Sequence, residues 1–105
     1  MINLVLIHGW GCDSRTWQPL VESLQTFASI KLIDLPGLGT SPALPEFSLD
    51  TVLDKIAVQL PQSSVVMGWS LGGLFALRGA LAHPAGCRGL ILQNASPCFV
   101  HRTDW

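Results

Sequence analysis

The stretch Val65-Val66-Met67-Gly68-Trp69-Ser70-Leu71-Gly72-Gly73 limits what this chain can fold into more than any other. A β-branched run breaks into Gly-x-Ser-x-Gly and is followed at once by an apolar, Ala/Leu-rich segment. The spacing therefore places Ser70 where a buried strand turns sharply into a helix. A serine at such a turn needs a strained backbone, and Gly68 and Gly72 lack side chains so that strand and helix can approach. The Ser70 hydroxyl is thereby presented at a helix N-terminus. Free amides and the positive end of the helix dipole favour negative charge there, the charge an acyl-transfer intermediate develops on its oxygen.

Composition narrows the setting. The chain has 105 residues, 49% hydrophobic and 12% charged, with net charge −1. That bounds it to one domain and gives no electrostatic case for nucleic acid or an anionic membrane. Low charge and apolar runs imply strands buried on both faces, as in a parallel sheet covered by helices. Met1 to Ile7 has neither the basic start nor the cleavage site of a signal peptide, and no run nears the roughly 20 apolar residues of a membrane span. A cytoplasmic location is expected. Cys12, Cys87 and Cys98 are odd in number and widely spaced, which reads as free thiols rather than disulfides or a metal site. The basic residues Arg15, Lys31, Lys55, Arg78, Arg88 and Arg102 are scattered and mark no docking surface.

Taken in order, Leu4 to Ile7 reads as a buried strand that opens into the loop His8-Gly9-Trp10-Gly11. Trp17, Leu20, Val21 and Leu24 then recur at helical spacing, with Pro19 tolerable in the first turn. Ile30 to Leu35 is the second strand, stopped by Pro36-Gly37-Leu38-Gly39. A Pro/Gly-rich loop runs to about Phe47. Ser48 is a suitable N-cap for a helix whose stripe is Leu49, Val52, Leu53, Ile56 and Leu60, ended by Pro61. Ser63 to Met67 is the third strand, Leu71 to Ala82 the helix closed by His83-Pro84, and Gly89 to Gln93 the fourth strand, leaving through Asn94-Ala95-Ser96-Pro97. Strand and helix alternate, so right-handed crossovers give a parallel, doubly wound α/β sheet. All four strand exits gather at one edge, and Trp10, Ser70 and Ser96 are expected there together.

Rival motifs carry less. Gly37-Leu38-Gly39-Thr40-Ser41-Pro42 begins like a dinucleotide fingerprint but has proline at the third glycine and no helix after it, and no phosphate-cradling G-x-x-x-x-G-K-[ST] is present. Asp34, at a strand end before a Pro-Gly turn, reads as an acceptor of turn amides rather than a catalytic acid. His8 reads as a satisfied packing histidine, and His83 as a helix C-terminal residue suited to the dipole. His101 and Asp104 lie beyond the fourth strand in the wrong order for a Ser, acid, His arrangement. The acid and histidine that Ser70 needs are therefore not expected in this chain.

The segments Leu4 to Gly11, Asp34-Leu35-Pro36-Gly37-Leu38-Gly39-Thr40-Ser41, Gly68-Trp69-Ser70-Leu71-Gly72-Gly73 and Ala95-Ser96-Pro97-Cys98-Phe99 resemble the α/β-hydrolase superfamily. Trp69 beside Ser70, Ser96 to Phe99 and Asp104-Trp105 make the chain similar, within that superfamily, to the biotin-synthesis carboxylesterases that cleave the methyl ester of pimeloyl-acyl carrier protein. The resemblance runs along the whole chain but spans less than half of a typical member, so it implies the N-terminal part (residues 1–105) of a hydrolase core domain. It implies Ser70 as nucleophile, the Trp10 and Leu71 N–H groups as oxyanion hole, and Trp10, Trp69 and Phe99 as the lining of the acyl pocket. The family's acid, histidine and helical lid with its carrier-protein contacts have no counterpart here.

The reading that follows is a serine carboxylesterase acting on an acyl ester through an acyl-enzyme on Ser70, with no metal or organic cofactor. Two alternatives stand beside it. One is a non-catalytic remnant or binding module, since serine without a base is a poor nucleophile. The other is a thioester, lactone or C–C cleavage on the same fold, since fold and motif do not fix the substrate.

Overall fold

The computed structural model describes residues 1–96; Phe99, His101 and Asp104 lie outside the described residues, and so do Cys98 and Trp105. Four strands, β1 (Ile2–Ile7), β2 (Ala28–Ile33), β3 (Ser64–Trp69) and β4 (Cys87–Gln93), form one parallel sheet in the order β2-β1-β3-β4. The helices are α1 (Gln18–Leu24), α2 (Leu49–Ala57) and α3 (Leu71–Ala82), with 3₁₀ turns at Ser14–Trp17 and Pro84–Gly86. The expected α/β architecture is present, and every expected strand is found within about two residues of its bounds. Strand β2 ends two residues early because Asp34 and Leu35 already belong to the loop that β2 feeds.

The sheet's alternation sorts its side chains between two cores. Val5, Ile7, Ile33 and Val66 point to the side covered by Val52 and Ile56 of α2 and Phe75 and Ala76 of α3. Leu4, Leu6 and Ala28 point to the other side, under Trp17, Val21 and Leu24. Helix α1 thus covers one face and α2 and α3 the other, so the chain winds in opposite directions from β1. The order reverses between β1 and β3. In open parallel sheets, the crevice outside the C-terminal ends of strands at such a reversal is where ligands bind.

Local chemistry explains each helix. Ser48 caps α2 by accepting from Thr51 N–H, while Thr51 Oγ1 accepts from Ser48 N–H, a reciprocal box worth about 1 kcal/mol. Helix α1 differs from expectation. Trp17 belongs to the preceding 3₁₀ turn and is buried, whereas Leu20 is 45% exposed. The change from three to 3.6 residues per turn alters the phase and rotates Leu20 off the core stripe.

Burial of every strand on both faces is not found. Leu4 to Ile7 of β1 are buried, but Ile91 and Leu92 of β4 are 46% and 43% exposed. Only the central strands have a neighbour on each side and a helix on each face; β4 is an edge with open flanks among the described residues. Cys12 and Cys87 are free thiols. No helix of the described residues is long and apolar enough to cross a membrane.

Candidate active site

Ser70 stands between the last residue of β3 and the first of α3, with φ 55° and ψ −118°. Such a conformation is disfavoured for any side-chain-bearing residue and is tolerated only where the surroundings over-determine it. Three contacts do so. Ser70 N–H donates to the Gln93 carbonyl at the end of β4 (2.9 Å), and the Ser70 carbonyl accepts from Gly73 (2.9 Å) and Leu74 (3.3 Å) in the first turn of α3. The third is steric. A Cβ on Gly68 would collide with the Gly72 carbonyl and Gly73 Cα, and one on Gly72 with the Ile7 and His8 carbonyls. The bare neighbours expected around Ser70 are therefore required, and Gly72 also brings α3 against the end of β1.

The Ser70 side chain is half-buried and its hydroxyl makes no hydrogen bond among the described residues. Helix α3 has no acidic residue in its first turn to offset its positive end, and Leu71 N–H finds no backbone acceptor among the described residues. The β1 exit lies alongside. A Cβ on Gly9 would stand 3.3 Å from Ser70 Cβ and 3.0 Å from Trp69 Cε3. The next residue, Trp10, is 74% exposed, and its N–H likewise lacks a described backbone acceptor.

Trp10 and Leu71 meet in one apolar cavity of about 410 Å³, whose far wall is Leu38, Ala43, Leu44 and Phe47 of the long loop after β2. Trp69 does not line it. Its side chain faces the α1 side of the sheet, packed with Met67 and Val65 against the smaller core. Phe99 lies outside the described residues. Ala95, on the β4 exit, packs against Gly73 and Ser96 follows half-buried, so the exits of β1, β3 and β4 converge. The cavity wall was not foreseen as such. The available signal was the large apolar residues Leu38, Leu44 and Phe47 in a loop rich in Pro, Gly and Ser.

Asp34 ties the two loops together. Oδ1 accepts from Ser14 N–H (2.7 Å), while Oδ2 accepts from Thr40 N–H (3.1 Å) and Thr40 Oγ1 (2.9 Å). Desolvation pushes the carboxyl upward, but donation from Thr40 and Ser14 outweighs it and holds the group at about 2. The structural role expected for Asp34 is confirmed; its reach across to Ser14, 20 residues earlier, was not visible in the sequence. His8 is fully buried, with both ring nitrogens engaged, and His83 ends α3 at the opposite edge of the sheet. Among the described residues neither histidine is free to serve Ser70.

The chain matches the family described as alpha/beta hydrolase fold over residues 2–105. It is 48% identical over 102 residues to the biotin biosynthesis bifunctional protein BioHC of Cellvibrio japonicus, covering 97% of this chain and 20% of that protein. It is 42% identical over 105 residues to the pimeloyl-[acyl-carrier protein] methyl ester esterase of Aeromonas hydrophila, covering 98% of this chain and 41% of that one. Among solved structures, MenH from S. aureus superposes with a TM-score of 0.84 at 27% identity, over 95% of this chain and 40% of that chain. This chain therefore spans less than half of the curated relatives that it matches.

Proposed function

We propose, from the premise that this chain belongs to the alpha/beta hydrolase fold family, that it is the N-terminal, nucleophile-bearing part of the core domain of a serine carboxylesterase. Ser70 Oγ attacks the ester carbonyl carbon and its proton passes to a base. The carbonyl oxygen, now negative, is held by the Trp10 and Leu71 N–H groups. Collapse of the tetrahedral intermediate expels the alcohol, which takes up that proton, and leaves the acyl group on Ser70. Water then repeats the attack with the same base and releases the carboxylic acid. No step requires a metal or organic cofactor. The acid and base are assigned to parts of the protein other than the described residues, because His8 is engaged at both ring nitrogens and His83 lies at the C-terminal end of α3, away from Ser70.

The observation that carries this reading is Ser70 itself. It combines a strained backbone at the first turn of α3 with a hydroxyl that makes no hydrogen bond among the described residues and the β1 exit within contact distance. The apolar cavity between Trp10, Leu71 and Phe47 suits an acyl chain. The relatives' names support a pimeloyl group, esterified to methanol and carried on acyl carrier protein, as the substrate, within biotin synthesis. A cytoplasmic location follows for an enzyme that meets such a carrier.

A non-catalytic binding role is the second reading, favoured by the absence of a described histidine within reach of Ser70. Fluorophosphonate labelling of the protein expressed from its complete coding sequence separates the two. Rapid labelling that disappears in Ser70→Ala is expected. Equal labelling of Ser70→Ala, or none of the wild type, rules out the esterase reading.

A further inference from the structure

The β1 exit is held by a residue that the catalytic steps leave unused. His8 follows β1 directly and is fully buried. Its Nε2 lies 2.9 Å from the Leu35 N–H and its Nδ1 2.8 Å from the Gly9 carbonyl. A backbone amide only donates and a carbonyl only accepts. Nε2 is therefore the acceptor, and Nδ1 carries the hydrogen that it donates to Gly9. The tautomer is thus set from the loop after β2, 27 residues further along the chain.

That donation bears on the reacting atoms because the Gly9 carbonyl and the Trp10 N–H are two ends of one peptide group. The bond is trans, so the two point in opposite directions. A carbonyl drawn toward the buried imidazole turns the Trp10 N–H away from the core. Cys12 N–H donates to the same carbonyl (3.2 Å) and closes the turn. Gly9 needs such a restraint. It has no side chain, because a Cβ there would press on Trp69 and Ser70, and glycine backbone is otherwise free to rotate.

We propose that His8 is the positioning residue of the oxyanion site, its imidazole fixing the plane of the Gly9–Trp10 peptide so that the Trp10 N–H faces the oxygen that becomes negative. This deepens the Ser70 reading and rests on it. Leu35 acts one step further back, through the ring it orients. The contribution is to transition-state stabilisation rather than to binding, since the donor faces a charge that the bound ester does not yet carry.

The test uses the protein expressed from its complete coding sequence, with His8→Phe and His8→Gln variants and a short-chain acyl methyl ester as substrate. Ser70-dependent turnover in the wild type is the control; if it is absent, the underlying esterase reading fails and not this one. His8→Phe is expected to lower kcat by about 10²- to 10³-fold, the effect of losing one oxyanion donor, with KM changed less than about threefold. His8→Gln, which keeps a donor and an acceptor, should recover part of the loss. Cooperative melting of each variant separates the effect from unfolding. Independently of any variant, histidine-selective ¹⁵N–¹H NMR of the wild type should place the His8 proton on Nδ1. Three results overturn the proposal: a proton on Nε2, folded variants with wild-type kcat, or a kcat that falls only as the folded fraction does.

Discussion

The two strand exits that form the candidate site are built in different ways. At the β3 exit, Ser70 is kept in a disfavoured conformation by close approach. Gly68 and Gly72 leave no room for a Cβ, and backbone atoms of β1 and α3 pack where side chains would be. At the β1 exit, Trp10 is exposed among the described residues, and order comes from directed hydrogen bonds through His8 and Asp34 to the loop after β2. Contact packing resists displacement in every direction and suits the proposed nucleophile, whose position must not vary. Hydrogen bonds fix orientation instead, which the proposed Trp10 N–H donor needs, while leaving Trp10 open to the cavity.

The difference predicts unequal costs. Gly72→Ala should have the largest effect, more than about 4 kcal/mol, because its new methyl meets backbone oxygens that cannot step aside. A denaturant melt measures this, and a tolerated alanine would show that the β3 exit is not held by packing. Asp34→Asn should cost about 2 kcal/mol, through weaker acceptance from Ser14 and Thr40. A loss as large as that of Gly72→Ala would erase the distinction between the two exits.

The same carboxylate gives a pH dependence. Its folded value of about 2 lies below the unfolded value of 3.8, so its contribution is complete above about pH 4 and is lost as pH falls toward 2. After solvent screening that loss is on the order of 1–2 kcal/mol. Melts of the wild type and of Asp34→Asn across this range should converge at low pH. Curves that stay parallel would contradict the hydrogen-bonded account.

Gly79→Ala should give the smallest effect and the opposite sign. A methyl there meets only Leu53 Cδ2 at an ordinary 3.9 Å, so the better helix former should stabilise α3 by about 0.5–1 kcal/mol. Destabilisation at Gly79 would mean that α3 is crowded along its whole length rather than at Ser70 alone.

Much was legible in the chain because it is local. The Gly-x-Ser-x-Gly turn, the alternation of strand and helix, the Ser48 cap and the turn role of Asp34 each depend on residues within a few positions of one another. Those distances are governed by steric and hydrogen-bonding rules that hold wherever the segment sits. The phase of α1 was local too, yet hidden, because a 3₁₀ turn and the first turn of an α-helix share the same residue preferences.

What only the tertiary structure decided is which distant groups meet. The sheet order set β1 beside β3 and so brought Gly9 to Ser70. Asp34 was thereby given Ser14 as well as Thr40, and His8 was given the Leu35 amide that assigns its tautomer. Trp69 and Trp10, both aromatic and both next to the site in sequence terms, fell on different surfaces because strand alternation turns Trp69 toward α1, while Trp10 has left its strand. None of these pairings has a sequence pattern. They arise when packing of the two cores fixes the strand register, and register converts separations of 20 to 60 residues into contacts of a few ångströms.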